Sequence, residues 1–216
     1  MSQEQRKVEN LRVGRLSPPR DLTGVDDRFL QPVYILKYLG DVTAPDGRLL
    51  LYSRRSGRWR AEFTLYTDAD RRTPLLQVRA ASTVNVGGGY DVTDCATGEL
   101  LGIVAPLVLR SMLLDTWKAY GPDGTELATL IETDTWRWFL RKFLLGAFLP
   151  SRHTLLSASG WPLGRLSGIA FTWWELQHRL ELFDAAREQG IDPRLLFVLG
   201  LLGARKVWHG ERETFR

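Results

Sequence analysis

Five arginines, Arg48, Arg54, Arg55, Arg58 and Arg60, fall within one 13-residue window, separated mainly by small and apolar residues. Guanidinium groups clustered in this way suit bidentate contacts to phosphate, whether on a lipid headgroup or on nucleic acid. A solvated turn would also carry alternating arginines, because charges mostly sit exposed. The excess is local: residues 1–72 hold 14 Lys and Arg against 10 Asp and Glu, whereas 73–216 hold 15 against 15. A second basic group, Arg137, Arg141 and Lys142, lies within Trp136–Leu149. Trp136, Phe139, Leu140, Phe143, Leu144 and Ala147 recur there at helical spacing, and Pro150 closes the run. That pattern predicts an amphipathic helix over 136–149, suited to a membrane interface or to the protein's own core.

Catalytic chemistry finds less support. His153, His178 and His209 form no zinc-ligating spacing, and Glu175-x-x-His178 lies in a predicted strand, where positions three apart face opposite ways. Cys95, the single cysteine, follows Asp94, whose charge raises a thiol pKa. Gly87-Gly88-Gly89 lacks the helix and lysine of a phosphate loop. Asp184, Glu188 and Asp192 lack the alternating oxygen ligands of a calcium loop. No metal, cofactor or catalytic residue is predicted, and the expectation is a non-enzymatic binding module. One cysteine and a polar start without an apolar leader fit a cytoplasmic protein.

The elements that must position these residues are mostly strands. After a polar arm (1–28), short runs are separated by turn signals such as Pro45-Asp46-Gly47, Thr97-Gly98 and Pro122-Asp123-Gly124. The runs are 33–39, 49–53, 59–66, 75–80, 90–93, 100–105, 115–120 and 127–132, then 153–159, 163–169 and 171–183. The last of these also has helical propensity. Spacing of this kind indicates a sandwich or barrel. The C-terminal element is a helix over 193–208, capped by Asp192-Pro193, with a short tail over 211–216. From Leu195 to Ala204 it has no polar side chain. Ten residues at about 1.5 Å each span about 15 Å, half a bilayer core, so protein must surround the segment. The expected architecture is therefore mainly β, a closed antiparallel barrel over 29–210 wrapped around an apolar C-terminal helix. Gly200 and Gly203 would admit strand side chains close to that helix.

Tyr90-Asp-Val-Thr-Asp94, Thr97-Gly98-Glu-Leu-Leu-Gly102, Trp117-Lys-Ala-Tyr-Gly-Pro-Asp123-Gly124 and Asp192-Pro-Arg194-Leu-Leu occur in this order before the apolar helix. In these features the chain resembles the tubby C-terminal-like superfamily, specifically its LURP-one-related and phospholipid scramblase-like proteins, over about residues 30–210. The resemblance implies a 12-stranded barrel around a central C-terminal helix. It also implies peripheral binding to anionic phospholipid or phosphoinositide at the inner membrane surface. The residues assigned to that contact are Arg54, Arg55, Arg58 and Arg60, with Arg137, Arg141 and Lys142 as a second patch. The acidic calcium-loop pattern of scramblases has no counterpart here, and the tubby phosphoinositide motif has no residue-by-residue match. The alternative is a protein-interaction or scaffold barrel without a lipid ligand. Nucleic acid ranks third, since a net charge of +4 is modest.

Overall fold

In the computed structural model, the described residues are 25–37, 41–55, 62–80, 89–107, 116–133, 152–172 and 175–213. The side chains of 54, 55, 169–172, 175, 176 and 205–213 are outside this description. The predicted helix over 136–149 lies outside the described residues.

Twelve strands form one closed antiparallel barrel. They are β1 (Val33–Lys37), β2 (Val42–Thr43), β3 (Leu49–Arg55), β4 (Phe63–Tyr66), β5 (Pro74–Ala80) and β6 (Tyr90–Asp94), followed by β7 (Leu100–Pro106), β8 (Thr116–Tyr120), β9 (Glu126–Glu132), β10 (Arg152–Ser157), β11 (Pro162–Thr172) and β12 (Glu175–Leu182). Each strand pairs with its sequence neighbours, and β1 closes the ring on β12 through Tyr34↔Leu180 and Leu36↔His178. Closure leaves no free edge, which removes the aggregation risk of exposed strand N–H and C=O groups.

A short helix, α1 (Asp184–Glu188), and a 21-residue helix, α2 (Pro193–Glu213), follow the last strand. Leu195–Ala204 of α2 is buried throughout. Its neighbours come from around the ring. A Cβ added at Gly200 would stand 2.8 Å from Leu180 of β12, and one at Gly203 would collide with Leu130 of β9 and meet Leu166 of β11. Phe197 packs edge-on to Tyr34 of β1 (5.0 Å between centroids) and to Phe29 (5.6 Å), which belongs to a 3-10 turn at Asp27–Phe29. Leu195–Ala204 is thus buried, with side chains of β1, β9, β11 and β12 against it.

Several elements differ from the sequence pattern: β2 and α1 were not expected, and α2 continues to Glu213, past the expected end at 208 and into the expected tail. The run 171–183 is divided: β11 continues to Thr172 and β12 starts at Glu175, with Thr172↔Glu175 as the last register pair. The two-residue connection is Trp173-Trp174, which carries no Gly or Asp-Gly signal, so alternation ran across the break. The described part of 59–66 is strand only from Phe63, and Phe63 and Leu65 are fully buried in the core.

Candidate functional site

In an all-antiparallel ring, successive connections alternate between the two ends. One end carries the connections 44–48, 67–73, 95–99, 121–125, 158–161 and 183–192; we call it the turn rim. The other, the distal rim, is where 38–41, 56–62, 81–89, 107–115, 133–151 and 173–174 join the strands.

The predicted contact residues divide by this rule. Arg54 and Arg55 end β3 at the distal rim, opposite Thr64 and Phe63 of β4. Their side chains, and all of Arg58, Arg60, Arg137, Arg141 and Lys142, are outside the described residues. Connectivity nevertheless relates the two patches. Residues 56–62 bridge β3 and β4, 133–151 bridge β9 and β10, and both pairs of strand ends belong to the distal rim. The strand ends they join are six strand positions apart in a ring of twelve, hence on opposite sides of it.

The turn rim is described in detail. Asp94 organises it: one carboxylate oxygen accepts the amides of Ala96 (2.7 Å) and Thr97 (3.3 Å), and the other accepts from the Arg194 guanidinium. Arg194 is also held by Asp192 at 2.8 and 3.0 Å. Asp192 in turn caps α2 by accepting the Arg194 amide at 2.9 Å, the bond expected of an N-cap side chain. Burial pushes the Arg194 guanidinium toward losing its proton, but the hydrogen bonds and charges of Asp192 and Asp94 outweigh this and raise its pKa above the ordinary arginine value. The triad anchors the start of α2 to the β6–β7 turn. Its partners are not exposed to a ligand: only 2–15% of each side chain is accessible. Asp94 and Arg194 both belong to the sequence features quoted above, but their separation of 100 residues gave no local sign of pairing.

Cys95 occupies the same turn and is half-buried. Burial first, and the Asp94 charge second, raise its thiol pKa. A thiol held protonated in this way is a poor nucleophile. His153 and His178 are buried on β10 and β12, with Glu132 beside His153 in the β9–β10 register. Among the described residues, no three His, Cys, Asp or Glu side chains come together as a metal set, and no helix is long and apolar enough to cross a membrane.

No family model matches the chain, and comparisons with curated proteins and with solved structures returned no match.

Proposed function

We propose that this chain is a non-enzymatic binding module, a barrel of the tubby-like, LURP-one-related and scramblase-like kind, that binds anionic phospholipid peripherally at the cytoplasmic membrane surface. The contact uses Arg54, Arg55, Arg58 and Arg60, with Arg137, Arg141 and Lys142 as the second patch. The observation that supports it is connectivity: both basic segments join strand ends of one rim. Arginines near one surface add their attraction for an anionic bilayer at about 1 kcal/mol each.

Flotation with phosphatidylcholine vesicles, with and without phosphatidylserine, tests this at low salt. Binding only to the anionic vesicles, weakened by Arg→Ala at 54, 55, 58 and 60, is the expected result; equal recovery with both vesicle types refutes it.

A scaffold reading rests on a separate observation. Trp161 is 66% exposed at the turn rim, two residues before Leu163, whose carbonyl accepts the amide of the partly exposed Phe183. Exposed aromatics of this kind suit a protein contact. A stoichiometric protein partner, lost on Trp161→Ala and indifferent to the arginine changes, would favour it.

A further inference from the structure

On the outer face of β10, β11 and β12, strand register brings three arginines together. Arg152 of β10 pairs with Ser167 of β11, and Ser167 pairs in turn with Arg179 of β12. Two residues back along β11, Arg165 stands between Thr154 and Glu181. The alternate positions His153, Leu166 and Leu180 are buried, whereas Arg152, Arg165 and Arg179 are exposed and Ser167 and Thr154 are half-buried. Neighbouring strands lie about 4.8 Å apart and alternate residues about 7 Å apart, so the three arginines flank Ser167 within reach of their own long side chains.

This charge is not matched within the fold. Among the described side chains at these outward positions, Glu181 is the one acid, and Arg179 takes it at 2.8 Å. Among the described residues, Arg152, Arg165, Ser167 and Thr154 make no side-chain hydrogen bond or ion pair. The barrel exterior is arranged differently elsewhere: Lys118 pairs with Glu126 at 2.5 Å, and Arg79 stands opposite Asp91. Like charges on adjacent strands repel, so the cluster on β10–β12 costs stability until an anion joins it.

Guanidinium groups only donate, and the two hydroxyls can donate beside them. A phosphate monoester is the matching acceptor, with three oxygens and nearly two negative charges to set against two unpaired cations; a carboxylate brings half that charge. We infer that this flank of the barrel is a binding site for a phosphoryl group. Arg152 and Arg165 hold its oxygens, Ser167 and Thr154 donate between them, and Arg179 adds charge at the edge. The site consists of strand residues and is independent of the rim contact proposed above.

Thermal unfolding of the full chain in phosphate and in chloride, at matched ionic strength, tests the site for a soluble ligand. Phosphate also stabilises proteins by exclusion from their surface, an effect the Arg152→Ala/Arg165→Ala variant retains, so the site is read as the difference between the two chains. Flotation on phosphatidylcholine vesicles carrying either phosphatidic acid or phosphatidylserine tests it for a lipid headgroup. The expected result is a larger rise in Tm for the natural chain in phosphate, or preferential flotation on phosphatidic acid. The first assigns the site to a soluble phosphoryl group and the second to a headgroup. In the double variant the affinity should fall by about tenfold or more. Glu181→Gln, which removes the neighbouring acid and releases Arg179, should enlarge whichever response is seen. Equal responses in the natural chain and the double variant, no response of either kind, or a response that Glu181→Gln fails to enlarge overturns the site. Refusal of phosphatidylserine vesicles alone counts against the rim contact and leaves this site standing.

Discussion

Arg194 shows how one side chain can hold two distant parts of the chain. Its guanidinium bridges Asp192, two residues away, and Asp94, in the turn between β6 and β7. Removing one member of a buried ionic group leaves the others desolvated and unpaired. Arg194→Ala is expected to cost about 3 kcal/mol, read as a lower urea midpoint, and Arg194→Lys should recover only part because it lacks the planar fork. Surface carboxylates contribute a different dependence, on pH. Asp68 accepts the amides of Arg72 and Thr73, and Asp123 accepts the hydroxyl and amide of Thr125; both are thereby held below the usual carboxylate range. Burial pushes Glu126 upward, but hydrogen bonds from Lys118 and Thr129 and the charge of Lys118 more than offset it, so its pKa is lowered too. A lowered folded pKa contributes stability above the unfolded value of about 4, and that contribution disappears as pH falls through the folded values. Urea midpoints measured down from pH 7 should therefore decline below about pH 4. Glu126→Gln should flatten part of that decline; an unchanged slope would contradict the assignment.

At the scale of elements, α2 is held by fit as much as by composition. Gly203 lies so close to Leu130 that even a methyl group must displace that side chain, and Gly200 is nearly as tight against Leu180. Gly→Ala normally favours a helix by about 0.5–1 kcal/mol, but crowding a packed core costs about 1–3. Gly203→Val, which is bulkier and poorer in helices, is expected to destabilise by the upper part of that range. Leu130→Ala should lose less stability in the Gly203→Val background than in the natural chain, because it vacates the space the valine needs; equal losses would refute the contact. The turn elements were easier to read from sequence. Gly98 and Gly124 adopt φ of 71° and 82°, conformations that favour glycine, in the Thr97-Gly98 and Asp123-Gly124 breaks where turns were expected. The two-residue strand β2 and the five-residue helix α1 gave no such signal. Elements this short hold too few residues to establish a period, and neighbouring structure decides them.

For the molecule as a whole, closure has consequences no single strand carries. The ring aligns six connections on each end, so residues remote in sequence, such as those in 56–62 and 133–151, attach to one rim. A contact spread over that rim should be strongly salt-sensitive. Raising ionic strength from about 0.01 M to 0.15 M shortens the screening length from about 30 to 8 Å. Anionic-vesicle binding is accordingly expected to fall severalfold over that range, and the quadruple Arg→Ala variant should show a shallower dependence. A salt-independent interaction would indicate apolar insertion alone.

The amino-acid sequence by itself determined the local grammar of this protein. Glycine and aspartate breaks delimit most of the turns, alternation gives Phe63, Leu65, His178 and Leu180 their inward positions, and Asp192-Pro193 starts a helix whose next ten apolar residues cannot face water. These properties depend on near neighbours, and burial of α2 follows because lipid would need a longer span. Only the tertiary structure decided that β1 closes on β12, that Arg194 finds Asp94, and which leucines confront Gly200 and Gly203. Those pairings join segments far apart in the chain, and their partners are selected by the register and packing of the completed ring, which no local pattern encodes.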